Sequence, residues 1–588
     1  MAYLNPGEPQ KRLKLFVGIV TVIALLFVGR LFYTQVIDAE RLNTISSDQR
    51  SVPRTLPAIR GTIYDAEGKV LAKTVMRYDI NVAPSKVAEF TRTVNDQDVQ
   101  VTVDQAAGEM ASALSMTKAA VLKKITGTGE YAQVKKRVDA AAYRQIKDLN
   151  IPWVYTDAIA DRLYPNGAVA GNIVGFVNAE GIGVAGIEQM YDKCLAGVSG
   201  QETFETGADG IKIPESTVTI TEAVPGRDVH LTINADLQYY AQQVMASTVS
   251  YLRGDWGSAT IIDIKTGRIL AAAEAPTVDP NAPEKSKSED RGARIFQQAF
   301  EPGSTLKTIT AAIAIEEGKA TPETKVTVPY SWPLPGVNYN ITDSHVHPTE
   351  QLTTTGILRD SSNTGIAQIG GLVDYKIRRA YLDKFGLGSK TSIGFPGEHS
   401  GLLNTLENWD GIKRWVSTFG QGVSVTPIQS AMMYQALGNG GVLLEPTLTD
   451  GCADENGKYS TAPVKAGKQV VSAATAESTL LMLEKVVEHG GIGHYGAVPG
   501  YRIGAKTGTA QITDPATGRY GSLHAVSYIG LGPIEDAQFV VAVTVYKSRT
   551  ISNSFGVAGP FKKIMQQTLR TYRVPPSTTK SPNIAEEW

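Results

Sequence analysis

The feature that most limits the fold of this chain is an apolar segment near its N-terminus. Residues 15–29 carry no charge, and Thr21 is the one hydroxyl-bearing residue among them. These 15 residues fall short of the about 20 that a helix needs to cross a bilayer. Counting on to Ile37 restores that length, because Arg30 lies near one end and can extend its charged group to the lipid headgroups. We therefore predict a transmembrane helix over residues 15–37.

Basic residues before this segment indicate its orientation. Lys11, Arg12 and Lys14 precede the apolar run, and such residues stay in the cytoplasm. A cleaved signal peptide would need small residues after the apolar core, whereas Arg30 is followed by Leu, Phe and Tyr. We expect an uncleaved single-pass anchor in the cell membrane, with residues 1–14 cytoplasmic and about 550 residues outside. A buried helix of a soluble protein is the alternative.

The length and charge of the chain narrow its class. A chain of 588 residues is too long for one compact domain. Its 57 basic and 58 acidic residues nearly cancel, so no overall positive field favours a nucleic-acid partner. The two cysteines, Cys194 and Cys452, lie in different predicted domains and match no metal-binding or disulfide spacing. We interpret them as a chance pair of free thiols.

Turn residues and composition divide the rest of the chain. Residues 38–224 mix short strands, helices and glycine-rich loops, which is typical of an extended β-rich neck, or pedestal. Val224–Asp228 is a turn signal that marks the start of a second domain over residues 225–574. We predict that residues 575–588 form a disordered tail.

The second domain shows an α+β pattern. Ala235–Leu252 has the periodicity of an amphipathic helix, and Ala259–Ile264 with Ile269–Ala273 predicts a hairpin. Three β-rich runs near the end predict antiparallel strands, at 501–509, 525–531 and 539–546. A helix with one apolar face follows them over residues 560–572. These elements predict an antiparallel sheet covered by helices.

Three short strings in one order carry most of the chemistry. Ser304–Lys307 offers a hydroxyl and a lysine one helical turn apart, Ser361–Asn363 a second hydroxyl with an amide, and Lys506–Thr509 a cationic strand. Together they are the equipment for acyl transfer through a covalent serine ester. Each string is unspecific alone, because similar matches occur at 115–118, 577–580 and 265–267. The last of these lies in the predicted hairpin turn, and we reject it as catalytic.

Local context favours Ser304 as the nucleophile. Pro302 and Gly303 form a turn before it and an apolar helix follows, so free N–H groups at the helix start can stabilise an oxyanion. Lys307 shares its helix face, and burial together with the charge of Lys506 would lower the pKa of that lysine enough to accept a proton. The alternative is that Ser304 only caps the helix.

The other two strings supply proton transfer and substrate contacts. Ser361 and Asn363 lie at a break between two helical runs, where Ser361 can pass a proton to the leaving nitrogen and Asn363 can hold a peptide carbonyl. A simple helix cap is the alternative. Lys506, Thr507, Gly508 and Thr509 end an edge strand to which an extended substrate can add, with the threonines near its carboxylate. The Thr509 and Ser304 N–H groups would form the oxyanion hole.

A pair of histidines, His345 and His347, raises the question of a metal site. Two histidines without a carboxylate or cysteine at ligand spacing are weak support for a metal, and a loop position is favoured. We expect no metal and no cofactor.

With these residues the chain resembles the class B penicillin-binding proteins, which are monofunctional peptidoglycan D,D-transpeptidases. The resemblance extends from residue 15 to about residue 576. Further strings resemble the pedestal and the transpeptidase domain of this family: 60–65, 162–188, 419–422, 426–429 and 438–441. Residues 65–68 read Asp-Ala-Glu-Gly where the family usually has Asp-Arg-Asn-Gly, a departure outside the predicted site.

The resemblance implies a fold, a substrate and partners. The domain over residues 225–574 would have the serine β-lactamase-like penicillin-binding fold. Ser304 would attack the penultimate D-Ala carbonyl of a stem peptide, release D-Ala and pass the acyl group to an amine, and β-lactams would acylate the same serine. The pattern over 162–188 resembles the septal, cell-division branch more than the elongation branch. Such proteins act with a membrane glycosyltransferase and other division proteins.

Three other functions remain open at this stage. A D,D-carboxypeptidase or serine β-lactamase would need a general base for water, and the large pedestal argues against it. A β-lactam sensor would need a cytoplasmic effector; with only about a dozen residues before the anchor, signalling would require another chain. A non-catalytic scaffold in the wall-building complex would tolerate the loss of Ser304.

Overall fold

The computed structural model describes residues 9–94, 96–205, 217–409, 411–514 and 517–588. These residues pack as two units, Met1–Ile59 with Gly197–Pro225 and Arg60–Ala196 with Gly226–Trp588. The predicted domain boundary at residues 224 and 225 stays a prediction.

The N-terminal part of the chain alternates short helices and strands. Up to residue 225 the elements are α1 (Pro9–Phe32), α2 (Ala39–Arg50), β1 (Ser51–Leu56), β2 (Ile63–Tyr64), β3 (Val70–Val82), β4 (Phe90–Val94), β5 (Gln97–Val101), α3 (Val103–Ala113), α4 (Lys118–Ile125), β6 (Ala132–Val138), α5 (Ala140–Asp148), β7 (Val154–Leu163), α6 (Gly171–Val174), α7 (Gly186–Met190), α8 (Asp192–Leu195), β8 (Gly200–Glu205) and β9 (Val218–Thr221).

The remaining helices and strands follow residue 225. They are β10 (Val229–Leu231), α9 (Ala235–Leu252), β11 (Trp256–Asp263), β12 (Ile269–Ala275), α10 (Arg294–Gln297), α11 (Lys307–Glu316), β13 (Lys325–Val328), β14 (Ser331–Pro333), β15 (Asn340–Thr342), β16 (Glu350–Thr353), α12 (Thr354–Asp360), α13 (Asn363–Gly371), α14 (Tyr375–Lys384), α15 (Lys413–Val416), α16 (Pro427–Gly438), β17 (Val442–Leu443), β18 (Thr449–Cys452), β19 (Lys468–Gln469), α17 (Ala473–Glu488), β20 (Gly504–Thr513), β21 (Tyr520–Gly532), β22 (Phe539–Ser548) and α18 (Phe555–Thr571).

The first unit starts with the predicted apolar helix. Helix α1 continues into a wider turn over Tyr33–Ile37, and an apolar window of 18 residues within Pro9–Ile37 has a mean hydropathy of 2.5. Their apolar side chains are exposed, so by length and composition this helix can cross a membrane. Strands β1, β8 and β9 of the same unit form a small antiparallel sheet.

Five antiparallel strands form the main sheet of the second unit, in the order β12-β11-β22-β21-β20. Because side chains alternate across a strand, Val541, Val543 and Val545 of β22 pack with α9 and α18 on one face. Val540 and Ala542 pack on the other face in the cluster that includes α11, α16 and α17. Helices therefore cover both faces of the sheet, which confirms the predicted α+β fold.

Local sequence signals set several of these elements as predicted. Asn234 caps α9, because its side chain accepts a hydrogen bond from Leu237 N at 2.9 Å. Strands β11 and β12 pair as a hairpin that turns at Lys265–Gly267, where Gly267 has a φ of +70°. This Lys-Thr-Gly string is structural, as expected.

The two cysteines are not free, so the prediction of unpaired thiols is wrong. Cys194 in α8 and Cys452 in β18 form a disulfide across 258 residues of sequence, with their Cα atoms 6.4 Å apart. Val229 of β10 is the register partner of Cys452, and Arg227 N donates to Cys194 O at 2.9 Å. No sequence spacing signals this bond, because a strand pairing between distant segments brings the two residues together.

In the structure the end of the chain is an ordered part of the second unit rather than the disordered tail predicted for residues 575–588. The Thr353 N–H donates to Glu586 O at 3.0 Å, and the Thr353 hydroxyl donates to Ala585 O at 2.7 Å. Arg359 of α12 pairs with the carboxylates of Glu586 and Glu587, each at 2.9 Å. The composition suggested disorder because it offers little apolar surface, but backbone hydrogen bonds and ion pairs hold this segment.

Candidate active site

Ser304 lies in a short 3-10 helix, Gly303–Leu306, that runs directly into α11. Gly303 has a φ of +55°, and its N–H donates to Gly420 O at 3.1 Å. The Ser304 side chain is half-buried, whereas the next three residues of the helix are buried. The turn thus presents one hydroxyl at the start of an apolar helix, as predicted.

Two glycines allow neighbouring segments to approach this turn. A Cβ atom on Gly420 would lie 2.2 Å from Gly303 O, and one on Gly508 would lie 2.8 Å from Thr305 Cγ2. Real Cβ atoms do not approach other atoms this closely, because packed atoms repel at such distances. The glycine of the Lys506–Thr509 string therefore lets strand β20 lie against the segment that carries Ser304.

Lys307, the first residue of α11, is fully buried. Its Nζ donates to Ser361 O and lies 3.4 Å from Ser361 Oγ. Burial lowers the pKa of Lys307 to about 7, against the opposite effect of the negative charge on Asp343. A large share of the Lys307 side chains is therefore neutral at neutral pH and can accept a proton.

Lys506 approaches the same hydroxyl from β20. Its Nζ, which is also fully buried, donates to Ser361 Oγ at 2.9 Å and to Thr507 Oγ1 at 3.1 Å. Burial and the nearby charge of Lys307 hold the pKa of Lys506 well below its ordinary value. The Ser361 hydroxyl thus lies between two buried amines, an arrangement suited to passing a proton.

The Ser361–Asn363 string forms the junction between two helices, as the sequence predicted. Ser361 ends α12 in the left-handed region, with a φ of +59°, and α13 begins at Asn363. Ser362 caps α13 by accepting from Gly365 N at 2.9 Å. The Asn363 side chain donates to Thr342 O at 3.0 Å. This break in the helix directs Ser361 toward the two lysines.

Asp343, which sequence reasoning missed, holds this junction. Its buried carboxylate accepts hydrogen bonds from Ser362 Oγ at 2.7 Å, Thr364 N at 3.1 Å and Asn363 N. His347 Nε2 lies 3.0 Å from the same carboxylate. A single acidic residue in a loop carries no sequence signal for such a role, because its partners come from a segment about 20 residues further along the chain.

Strand β20 lies at the edge of the main sheet, as predicted, but the Lys506–Thr509 string is near its start rather than its end. Thr509 Oγ1 lies 3.4 Å from Ser554 Oγ, which donates to Gly508 O at 2.8 Å. The strand continues to Thr513 because β21 pairs with it along its whole length. The structure therefore brings all three strings to one place.

Comparison with known families agrees with this geometry. Residues 257–566 match the penicillin-binding protein transpeptidase domain, and residues 55–231 match the penicillin-binding protein dimerisation domain. The chain belongs to the class B penicillin-binding proteins. Its two family matches follow one another in the order of the pedestal and catalytic modules that the resemblance implied.

Individual class B relatives match this penicillin-binding protein over most of its length. The penicillin-binding protein PbpB of Mycolicibacterium smegmatis is 33% identical over 594 residues, covering 96% of this chain and 91% of that protein. The peptidoglycan D,D-transpeptidase FtsI of Escherichia coli K12 is 28% identical, covering 96% and 92%.

Solved structures of penicillin-binding proteins share the fold. Penicillin-binding protein 3 of Mycobacterium tuberculosis, complexed with aztreonam, superposes with a TM-score of 0.69 at 26% identity, covering 91% of this chain and 100% of that one. Penicillin-binding protein 2X of Streptococcus thermophilus gives a TM-score of 0.76 at 26% identity, covering 88% and 80%.

Proposed function

We propose that this protein is a serine-type peptidoglycan D,D-transpeptidase. The observation that supports this most directly is the Ser361 hydroxyl between the buried amines of Lys307 and Lys506, next to the turn that carries Ser304. A hydroxyl nucleophile needs a nearby base, and a lysine with a pKa near 7 is such a base.

The proposed reaction starts with proton transfer from Ser304 to neutral Lys307. Ser304 Oγ then bonds to the penultimate D-Ala carbonyl carbon, and the N–H groups of Ser304 and Thr509 hold the oxyanion. The C–N bond to the terminal D-Ala breaks as Ser361, hydrogen-bonded to Lys506, passes its proton to the leaving nitrogen and takes in its place the proton that Lys307 received from Ser304, so that Lys307 is neutral again. An acceptor amine attacks the resulting ester by the reverse route, which forms the cross-link and frees Ser304.

Substrate contacts follow from the edge position of β20. An extended stem peptide adds to the strand through backbone hydrogen bonds, with Gly508 allowing close approach. Asn363 holds the peptide carbonyl, and Thr507 with Thr509 contacts the terminal carboxylate near the charge of Lys506. β-Lactams acylate Ser304 in the same way, a proposal supported by the aztreonam and ampicillin complexes of the Mycobacterium tuberculosis relative.

The cellular role is proposed from the anchor and the relatives. Helix α1 crosses the cell membrane once, with the N-terminus in the cytoplasm and the catalytic domain outside, because basic residues precede the apolar run. Similarity to FtsI and PbpB supports a role in septal wall synthesis during cell division. A membrane glycosyltransferase and division proteins are the proposed partners.

A donor peptide that ends in D-Ala-D-Ala, mixed with an acceptor amine, tests the proposal. The purified protein is expected to release D-Ala and to form the peptide–amine product, and Ser304→Ala is expected to do neither. Release of D-Ala without the product would show a carboxypeptidase instead. Equal activity of the wild type and Ser304→Ala would contradict the assignment of the nucleophile.

A further inference from the structure

The loop between β15 and β16 holds a buried Asp–His pair next to the catalytic junction. The loop contains His345 and His347, the two histidines that suggested a metal in the sequence. His347 Nε2 lies 3.0 Å from Asp343 Oδ2, and both side chains are mostly buried, with 7% and 5% of their surface exposed. His345, by contrast, is exposed.

The Asp343 carboxylate fixes the backbone just after Ser361. It accepts hydrogen bonds from Ser362 Oγ, from the N–H groups of Asn363 and Thr364, and from Thr364 Oγ1 at 3.2 Å. These residues form the first turn of α13, and they follow directly on Ser361. The orientation of this carboxylate therefore determines where Ser361 and the Asn363 amide point.

Both ring nitrogens of His347 face oxygen atoms that can accept a hydrogen bond. Nε2 faces the Asp343 carboxylate, while Nδ1 lies 2.7 Å from Pro348 O and 3.5 Å from Glu350 Oε2. A neutral imidazole carries one N–H and can serve only one of these two sides. The ring must be an imidazolium to donate to both.

We propose that His347, as an imidazolium, is a positioning residue that holds Asp343 against the Ser361–Asn363 junction and thereby sets the rate at which Ser304 is acylated. This inference rests on the proposed function and adds to it a residue outside the three catalytic strings. His347 acts through Asp343, whose charge also reaches Lys307.

The charge of His347 gives this role a pH dependence. Burial opposes the charged ring, but hydrogen bonds to Pro348 and Asp343 and the charge of Glu350 outweigh it and raise the pKa of His347. The other groups facing this pair are the rings of His345 at 5.6 Å and Tyr330 at 6.1 Å. The ring is charged below its raised pKa, so its contribution is lost as the pH rises through that value.

The rate of acylation by a fluorescent penicillin tests this role, measured from about pH 6 to about pH 9 on wild type, His347→Gln and His345→Gln. His345→Gln is the matched control, because it removes the same residue type from the same loop. We expect His347→Gln to acylate about tenfold more slowly at the acidic end, where a charged hydrogen bond is lost. The ratio of wild-type to His347→Gln rates should then fall toward one as the pH rises, because His347 itself becomes neutral.

Several results would overturn the proposal. A ratio that stays constant with pH would show a purely structural role, and a ratio of one throughout would show no role. The acylation rate of His345→Gln must follow the wild-type dependence on pH. An equal effect of the two histidine variants would also contradict the proposal. If thermal unfolding shows that His347→Gln does not fold, the acylation rate of Glu350→Gln, measured against pH, tests the proposal instead. Loss of the Glu350 charge should lower the pH at which His347 loses its proton, so the acylation rate of Glu350→Gln should fall below that of the wild type in the range where only the wild-type ring is still charged. Superimposable pH profiles of Glu350→Gln and the wild type would refute the idea. Covalent labelling of Ser304→Ala by the fluorescent penicillin would instead refute the proposed function itself.

Discussion

Replacing Lys307 with Gln is expected to slow the acylation of Ser304 strongly and, at the same time, to stabilise the protein. Burial lowers the pKa of this lysine from 10.5 to about 7. At ~1.4 kcal/mol per pKa unit, the difference corresponds to about 5 kcal/mol in favour of the neutral amine. The same desolvation that makes Lys307 a base at neutral pH therefore costs stability.

The sign of the effect on stability follows from the number of protons that Lys307 binds in the folded and in the unfolded chain. Between about pH 7 and pH 10.5 the unfolded chain keeps a proton on this lysine that the folded chain has lost, so the free energy of unfolding of the wild type rises with pH. Gln has no charge at any pH. The gain in stability of Lys307→Gln should thus be largest, about 5 kcal/mol, below neutral pH and should shrink to zero toward pH 10.5.

Penicillin acylation and thermal unfolding, both measured against pH, test this prediction. We expect the acylation rate of Lys307→Gln to fall at least about 100-fold, the usual contribution of a general base. Lys485→Gln is the control, because the buried Lys485 amine is paired with Glu488 at 2.6 Å and its loss should destabilise the protein. Near-normal acylation by Lys307→Gln, or a fall in its stability like that of Lys485→Gln, would refute the reasoning.

Two further substitutions, Gly508→Ala with its control Gly559→Ala and Glu586→Gln, test the packing around the site. Gly508→Ala should lower the free energy of unfolding by about 1–3 kcal/mol, because its Cβ would lie 2.8 Å from Thr305 Cγ2. Both the melting temperature and the acylation rate should therefore fall. Gly559→Ala in α18 has no atom within 4 Å of its Cβ and should be neutral or slightly stabilising, so equal effects of the two would contradict this view. Glu586→Gln should slow acylation modestly and lower the melting temperature by weakening the ion pair to Arg359 on α12, and an unchanged rate and melting temperature would show that this contact does not support the helix.

Local patterns predicted the parts of the site that depend on neighbouring residues. A hydroxyl and a lysine one helical turn apart, after Pro302–Gly303, sufficed to predict Ser304 and Lys307 at the start of an apolar helix. The edge position of β20 followed from its β-rich sequence and the turns around it. The effect of Lys506 on the pKa of Lys307 was expected, but burial dominates there, and the charge of Lys307 lowers the pKa of Lys506 instead.

Long-range contacts account for what the sequence did not predict. Asp343 organises the Ser361–Asn363 junction through residues about 20 positions away, and no periodicity or motif marks it. Cys194 and Cys452 meet because β10 pairs with β18. The segment around Glu586 is polar in composition, and its order depends on backbone groups of β16 that a composition argument does not see.

The mass of the purified protein before and after treatment with penicillin, followed by peptide mapping, tests most directly whether Ser304 is the nucleophile. We predict one covalent penicillin on the peptide spanning residues 295–318, located on Ser304 and absent from Ser304→Ala. An unmodified peptide in the treated wild type, or an adduct that persists in Ser304→Ala, would contradict the proposed mechanism.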